Sequence, residues 1–423
     1  MILEVGSTIV MAGIAGWAYL KQNGPATNDA EKIQRIFANT GMMVKEQGKT
    51  KTIRLQKKRT VEGGTEYVYQ LPLGMSSKQV QEAKHVLEDG LNVRHEYLEF
   101  NPSDLKNIRW NENVFPQIKQ MIEPKKSKKE IDIDFDGMLK IRVYNEPLSD
   151  YLQWNDSYFS TGWRVPVGEN RKGFIYHDFA KTPHIIVAGT TGFGKSQYLK
   201  MLVTSLITQQ PNYVHLSLID LKGGTAFQRF SNMQQVEYYG RNPVEARQIL
   251  QTVQQNMNTM LEKIVESGFE DTREAGIKDR HFIIVDEAAD MAQDGICMDI
   301  VADIARRGRG AGYHLIYCTQ YPTNETIPSQ VRPNIGARVC FKLKTNIQSR
   351  AVLDEGGAED LPEIRGRAIY QLNKNIIVQT PYMTNDEISD LIAPFMRKGG
   401  PHEQTIVSKT KSNRQHSLEF EEA

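Results

Sequence analysis

The sequence predicts an α/β fold with a mainly parallel sheet, and three observations support this prediction. Short apolar runs alternate with longer helical stretches after about residue 150, several runs end in polar residues, and a glycine-rich segment joins one run to a helix. Such alternation is typical of βαβ units, in which helices cover both faces of the sheet and ligands bind at the carboxyl ends of the strands. The predicted strands are Ile185–Ala188, Val214–Asp220, Phe282–Asp286, His314–Thr319, Arg338–Leu343 and Ala368–Leu372.

Length and charge narrow the possible classes of protein. A chain of 423 residues corresponds to two or three domains. Lysines and arginines number 52 against 51 acidic residues, so net charge gives no argument for binding nucleic acid. The densest basic segment, residues 49–59, would suit a nucleic acid, but such a run is more often a solvated surface. The three cysteines lack metal-ligand spacing and predict reduced thiols in the main domain.

The first residues predict a single membrane-spanning helix within residues 1–21. The run Ile2–Leu20 is interrupted only by one glutamate and two hydroxyl residues. A bilayer requires about 20 apolar residues, with a lower limit near 17. An aromatic pair followed by Lys21 at the end of the run resembles an interfacial belt with a cytoplasmic anchor. We therefore expect a single-pass protein of the cell membrane whose main domain is cytoplasmic. A buried N-terminal helix is the alternative.

Residues 22–150 predict a smaller subdomain of mixed α+β structure with linkers. Lys51–Lys58 and Glu66–Leu71 have strand character and flank a Gly-Gly turn. Ser76–Asp89 carries apolar residues at spacings of three and four, which predicts an amphipathic helix that stops at Gly90. The main α/β domain is then expected at residues 151–396. The polar tail at 397–423 is expected to be disordered.

Residues 189–196 form the phosphate-binding pattern G-x-x-x-x-G-K-S between a predicted strand and a predicted helix at Gln197–Thr208. Glycines allow successive backbone N–H groups to surround a polyphosphate, and the helix N-terminus adds positive charge. In this pattern Lys195 reaches the β- and γ-phosphates of ATP, and the hydroxyl of Ser196 binds Mg²⁺. The predicted nucleotide-binding residues are Gly189, Thr190, Thr191, Gly192, Phe193, Gly194, Lys195 and Ser196.

A second polar element follows the apolar strand that ends at Asp286. Asp286 is placed to hold the hydration shell of Mg²⁺, as the aspartate of such sites does. Glu287 is placed to polarise the attacking water as a general base. An acidic strand end in solvent is the alternative for an isolated pair, but the phosphate loop upstream favours the catalytic interpretation. The two elements together predict a RecA-like P-loop NTPase that uses ATP and Mg²⁺.

The strand ending at Thr319 supplies a third element, Gln320. A glutamine at this position could sense the γ-phosphate or orient the attacking water. The signal is weak by itself, because Thr-Gln is common at strand ends.

Several segments resemble the FtsK/SpoIIIE family of DNA-pumping ATPases. They follow the order of the family and span about residues 165–372. The segments are the phosphate-loop stretch Asp178–Ser196, Leu218–Lys222, Asp286–Met291, Ile304–Pro322, which ends in Thr-Gln-Tyr-Pro, and Ser349–Glu359.

The resemblance implies a homo-oligomeric ring, usually a hexamer, with nucleotide between subunits and DNA through the centre. It implies that Arg338 is the arginine that acts on a neighbouring subunit's nucleotide, with Arg307 and Arg309 as rivals. It also implies that loops within 344–350 and 356–367 grip DNA phosphates without reading bases, and leaves single- or double-stranded DNA open. The implied DNA contacts are Lys344, Arg350, Arg365 and Arg367.

A short, singly anchored chain resembles the plasmid or mobile-element branch of the bacterial family, which includes conjugative coupling proteins and would bring relaxase or other transfer proteins as partners. The polar segment after the last predicted strand is too short for the winged-helix domain of chromosome-segregating members. Two alternatives stay open. One is a protein-secretion motor that engages a signal peptide, and the other is a plasmid replication or partition ATPase.

Overall fold

The computed structural model describes residues 29–46, 49–92, 97–98, 124–125 and 129–397. The predicted helix at 1–21 and the tail after residue 397 lie outside these residues. Within the described ranges no helix combines the length and the apolar character that a membrane crossing requires. The chain divides into two compact units, with the boundary between Leu148 and Ser149.

The first unit contains a four-stranded antiparallel sheet of order β3-β4-β8-β7 and two separate two-stranded sheets. β3 and β4 pair across the Gly63-Gly64 turn, as the sequence predicts. Helices cover one face of the sheet, where Phe37, Tyr69 and Leu139 are buried. The elements are α1 (Asp29–Asn39), β1 (Met43–Glu46), β2 (Lys49–Thr52), β3 (Arg54–Val61), β4 (Gly64–Gln70), α2 (Ser77–Glu82), α3 (Lys84–Asn92), β5 (Tyr97–Leu98), β6 (Pro124–Lys125), β7 (Glu130–Phe135) and β8 (Leu139–Tyr144).

The helix predicted at Ser76–Asp89 is two short helices. Ser76 caps the first helix through a capping box with Gln79, and the chain breaks at Ala83 before the second helix begins. The expected stop at Gly90 is wrong, because Gly90 lies inside α3. A Cβ atom at Gly90 would lie 2.5 Å from Cδ1 of Ile36, so glycine here allows α1 to approach closely. The glycine serves packing rather than termination.

The second unit is built on a ten-stranded sheet of order β10-β9-β18-β17-β16-β11-β15-β14-β12-β13. The six strands from β16 to β13 pair in parallel, and the other four pair antiparallel at one side. The strands are β9 (Arg164–Asn170), β10 (Gly173–Asp178), β11 (Ile185–Ala188), β12 (Val214–Asp220), β13 (Val236–Gly240), β14 (Arg280–Asp286), β15 (Tyr313–Thr319), β16 (Ala337–Phe341), β17 (Arg367–Gln371) and β18 (Asn375–Gln379).

Helices cover both faces of the parallel strands, as the near-continuous apolar runs predict. Alternate residues of β11 enter different cores: Ile185 and Val187 face one, and Ile186 faces the other. Helices α4 and α8 contribute to the first core, and α5, α6 and α7 contribute to the second. Their bounds are α4 (Lys195–Gln209), α5 (Pro243–Glu266), α6 (Gly295–Ala311), α7 (Asn346–Leu353) and α8 (Asn385–Ile392).

Candidate functional site

Four neighbouring parallel strands end in the polar segments that the sequence singles out. The strands β11, β15, β14 and β12 lie side by side, so their carboxyl ends share one edge of the sheet. The phosphate loop follows β11, Gln320 follows β15, and the two acids stand at the end of β14. The structure therefore brings together at one edge candidate residues that lie far apart in the sequence, such as Thr191 and Gln320, which are 129 positions apart.

The phosphate loop has the backbone shape that its glycines permit. Gly192 and Gly194 have φ angles of 92° and 114°, a region that side-chain-bearing residues rarely adopt. Lys195 is the first residue of α4, and no side chain among the described residues caps this helix. The first N–H groups of α4 are thus free for an anion, which the helix dipole also favours. The loop is suited to bind a polyphosphate.

Strand β16 and a second turn hold the phosphate loop from outside the motif. The N–H of Thr190 donates to the carbonyl of Lys342 (3.0 Å), and the N–H of Gly366 donates to the carbonyl of Phe193 (2.9 Å). A Cβ atom at Gly189 would lie 2.6 Å from Cβ of Phe341, so the first glycine is required by packing. Sequence reasoning missed Gly366 because it belongs to no recognised motif.

Lys195 and Asp286 form a buried ion pair at the centre of the site. Nζ of Lys195 donates to Oδ1 of Asp286, and the two side chains are 3% and 0% exposed. Burial by itself lowers the pKa of Lys195, but the attraction of Asp286 outweighs it and the pKa is raised. Lys195 is therefore charged, as phosphate binding requires.

Asp286 and Ser196 fit a Mg²⁺ ion bound together with a nucleotide. Oδ2 of Asp286 is buried, and nothing among the described residues donates to it. Ser196 is half-buried and is the second residue of α4, directly after Lys195, which pairs with Asp286. A hydroxyl and an unpartnered carboxylate oxygen are the hard ligands that Mg²⁺ takes from proteins, with phosphates and waters completing the shell.

Glu287 is held in a strained conformation at the end of β14. Its φ of 60° and ψ of 56° are left-handed, an unusual state for a residue with a side chain. Oε1 of Glu287 accepts from the hydroxyl of Thr319 (3.2 Å) and the N–H of Gln320 (3.1 Å), and Nζ of Lys222 lies 3.3 Å from Oε2. The carboxylate is 4% exposed and oriented by three partners, which suits a group that must position one water.

Gln320 lies against the phosphate loop. The hydroxyl of Thr191 donates to Oε1 of Gln320 at 2.5 Å, and the backbone of Gln320 contacts Glu287. The glutamine thus joins the loop to Glu287, and its role as a sensor of bound phosphate stays a prediction. Lys222 is not among the predicted site residues, although it lies two residues after β12 within one of the family-like segments.

The three candidate arginines differ in their surroundings. Arg338 is 12% exposed, and its guanidinium donates to Gln371 and Asp354, each at 2.9 Å. Burial lowers the pKa of Arg338 from its ordinary value. Arg307 is paired with Asp303, whereas Arg309 is exposed near the end of α6. Arg338 must therefore leave two partners of its own chain before it could act on another subunit.

Three of the four predicted DNA contacts are accessible. Lys344 and Arg350 lie on the segment after β16, Arg365 lies before β17, and all three are exposed. The structure corrects the predicted DNA contact at Arg367, because this side chain is only 2% exposed. Its guanidinium donates to Oε1 of Gln379 (3.0 Å) and to the carbonyl of Ser149 (2.9 Å). Its charge is used inside the unit and cannot reach a DNA phosphate.

The fold and the site define a P-loop ATPase. Residues 152–282 match the model of the FtsK/SpoIIIE family. The chain is 28% identical over 273 residues to the DNA translocase FtsK of Streptomyces coelicolor, covering 56% of this chain and 29% of that protein. It is 28% identical over 260 residues to the DNA translocase SpoIIIE of Bacillus subtilis, covering 54% and 32%. The region around residues 152–282 is therefore similar to the ATPase domain of the FtsK/SpoIIIE family, and the chain spans about a third of the length of these relatives.

Two solved structures share the fold. The pCW3 conjugation coupling protein TcpA, a monomer with ATPγS, has a TM-score of 0.56 at 21% identity, covering 86% of this chain and 99% of that one. The cytoplasmic domain of the type VII secretion ATPase EccC from Thermomonospora curvata has a TM-score of 0.52 at 21% identity, covering 60% and 34%. At these identities the comparison shows a common fold.

Proposed function

We propose that this protein is an ATP-driven DNA translocase. The observation that carries the proposal is the convergence of Lys195, Asp286 and Glu287 at one sheet edge, within a domain whose matched relatives are named DNA translocases. The proposed complex is a homo-oligomeric ring, with six subunits as the expected number, that cleaves ATP between subunits and moves DNA through its centre. The DNA is either single- or double-stranded, and the ATPase rate with each form distinguishes the two.

The chemistry follows from the positions of the side chains. Backbone N–H groups of residues 189–196 and Nζ of Lys195 bind the phosphates, and Glu287 orients and deprotonates the attacking water. Mg²⁺, held by Ser196 and Asp286, would neutralise charge on the bridging phosphate oxygens. Gln320 contacts both the loop and Glu287, so a change at the γ-phosphate position is transmitted directly to β15.

The DNA contacts are proposed for Lys344, Arg350 and Arg365. All three are exposed and lie on segments at the carboxyl side of β16 and before β17. Cations of this kind bind phosphates without sequence preference, as a motor that moves along any DNA requires. Arg338, with Arg307 and Arg309 as rivals, would supply the charge that acts on a neighbouring subunit's nucleotide.

The cellular setting is proposed to be conjugative or plasmid DNA transfer at a bacterial cell membrane. The fold shared with the conjugation coupling protein over 99% of that chain supports this setting. In it, residues 1–21 would anchor the ATPase on the cytoplasmic side, and relaxase or other transfer proteins would be partners.

The test is the ATPase rate of the purified full chain with double-stranded DNA, single-stranded DNA and no DNA. We expect turnover that rises several-fold with at least one form of DNA. Glu287→Gln keeps the shape of the side chain but removes the base, so it should lower kcat about 10²–10⁴-fold while ATP still binds.

A rate that is indifferent to every form of DNA would contradict translocation. Stimulation by a signal peptide instead of DNA would favour the secretion alternative. DNA-stimulated turnover without displacement of a triplex-forming strand would favour a replication or partition factor.

A further inference from the structure

Three potential metal ligands meet at the edge of the sheet opposite the phosphate loop. His215, Glu237 and His281 are each the second residue of their strands β12, β13 and β14, which start at the same edge because they are parallel. One ligand atom from each residue lies within 4.8 Å of the others. None of the three has a role in the proposed ATPase chemistry.

The distances in this cluster are those of a site that can close on an ion. Nδ1 of His215 lies 2.8 Å from Oε1 of Glu237, and Nδ1 of His281 lies 3.8 Å from Oε2 of the same carboxylate. Two ligands of a tetrahedral zinc ion, each about 2.0–2.1 Å from the metal, are about 3.3 Å apart. The observed separations fall on either side of this value, so small side-chain adjustments would suffice.

A second carboxylate orients one of the imidazoles. Nε2 of His215 lies 2.9 Å from Oδ1 of Asp279, the residue before β14. Metal-binding histidines commonly donate their outer N–H to such a carboxylate, which fixes the tautomer and makes the inner nitrogen a better ligand. In the metal-free chain Nδ1 of His215 donates to Oε1 of Glu237 (2.8 Å), and a metal ion that binds here would displace that proton.

Stacking holds both rings in this orientation. His215 and His281 stand directly opposite each other on paired strands, with ring centroids 4.6 Å apart and planes 19° apart. His281 stacks in turn on Tyr313 of β15 at 4.5 Å and 10°. A ring stacked in this way cannot rotate freely, so the nitrogens facing Glu237 are preorganised for a ligand.

We propose that His215, Glu237 and His281 bind a divalent transition metal of the zinc class, which links the amino ends of β13, β12 and β14. The histidine side chains are each 22% exposed and the glutamate 36%, so an ion can enter from solvent and water can take the fourth position. Two imidazoles favour zinc over Mg²⁺, which prefers oxygen ligands. This site is therefore chemically distinct from the one at Ser196 and Asp286.

The metal would act on stability rather than directly on chemistry. His215 and His281 each lie five residues before the end of their strands, about 17 Å from the catalytic edge. An ion that binds only the folded unit raises its unfolding temperature by mass action.

The experiment measures Zn²⁺ binding by equilibrium dialysis of the chelator-treated full chain, and Co²⁺ absorption as a report of geometry. We expect one Zn²⁺ per chain, a tetrahedral Co²⁺ spectrum and a zinc-dependent rise in Tm. His281→Gln and Glu237→Gln should each weaken Zn²⁺ binding by at least 100-fold, and Asp279→Asn by about 10–100-fold. The control His85→Gln, at an exposed histidine in the first unit, should change nothing.

Absence of Zn²⁺ binding by the wild-type chain would overturn the proposal. So would wild-type affinity in both His281→Gln and Glu237→Gln. Circular dichroism shows whether each variant is folded. Glu237→Gln leaves both rings in place, so its result holds even if His281→Gln unfolds.

Discussion

At the scale of single residues, the buried pair of Lys195 and Asp286 combines a functional and a structural role. Removal of one partner leaves an uncompensated charge in the core, which costs about 3–5 kcal/mol. We therefore expect Lys195→Ala to destabilise the ATPase unit by about that amount, and Lys195→Ala with Asp286→Asn to recover most of the loss. Urea unfolding checks stability, and binding of a fluorescent ATP analogue should be lost in both variants.

The matched control for this pair is Lys181, which is 84% exposed and lies 3.8 Å from Asp178. An exposed ion pair of this kind contributes about 0–1 kcal/mol, so Lys181→Ala should leave stability and nucleotide binding nearly unchanged. If the double variant at the buried pair is as unstable as Lys195→Ala alone, the orphaned charge is not the cause.

Single residues also show where sequence reasoning succeeds and where it stops. Lys195, Asp286 and Glu287 lie in patterns whose chemistry requires those residue types at strand ends, so the sequence locates them. The burial of Arg367 could not be inferred, because it depends on Gln379 and Ser149, which are distant in sequence. The left-handed backbone conformation of Glu287 could not be predicted from the sequence either, since no rule predicts that conformation for glutamate.

At the scale of elements, the predicted strands are confirmed and the sheet has four more. Ile185–Ala188 and Val214–Asp220 match β11 and β12 at both ends, since buried parallel strands are continuous apolar runs. The last predicted strand exists as β17 but pairs antiparallel with β16. The pattern of apolar runs does not predict β9, β10, β13 and β18, because these strands mix polar residues, glycine or proline with their apolar residues.

The turn at Gly366 is expected to control the phosphate loop, because its N–H donates to Phe193. Gly366 has a φ of 82°, and a Cβ atom there would lie 2.7 Å from Nε2 of Gln379. Gly366→Ala should therefore displace the turn and weaken ATP binding by about tenfold, with a stability loss of about 1–3 kcal/mol. Titration with a fluorescent ATP analogue measures the effect.

Gly268→Ala is the control for backbone strain alone. Gly268 has a similar φ of 77°, but a Cβ atom there would meet nothing within 4 Å. This variant should lose about 1–2 kcal/mol without any change in ATP affinity. If the two alanine variants bind ATP with equal affinity, the turn at Gly366 does not control ATP binding by the phosphate loop.

At the scale of the whole molecule, three buried histidines predict sensitivity of the second unit to acid. Burial lowers the pKa of His177 and of His184 to about 4, and burial together with His184 lowers the pKa of His314 well below its usual range. In the unfolded chain these histidines bind protons below about pH 6.5, whereas the folded unit excludes them. Stability therefore falls as the pH falls from about 6.5 to 4.

The size of this effect is about 1.4 kcal/mol per pH unit for each histidine. His177→Gln should reduce the slope of unfolding free energy against pH by that amount, whereas His85→Gln, at an exposed site, should not change it. Urea unfolding between pH 5 and 6 measures the slope. The transition to follow is the one that ATP shifts, because it belongs to the unit that contains His177. A slope unaffected by His177→Gln would show that this histidine is protonated in the folded unit.

The exposed cations of the second unit predict how DNA binding depends on salt. Removal of one cation that neutralises a phosphate should reduce the slope of log K against log salt by about 0.9 on double-stranded DNA. The triple variant of Lys344, Arg350 and Arg365 to alanine should therefore bind DNA more weakly and with a shallower slope. Alanine at Lys49, Lys57 and Lys58, exposed lysines of the first unit, removes equal charge and should leave the slope unchanged. The reverse result would place the DNA on the basic segment of the first unit, since each variant removes three positive charges.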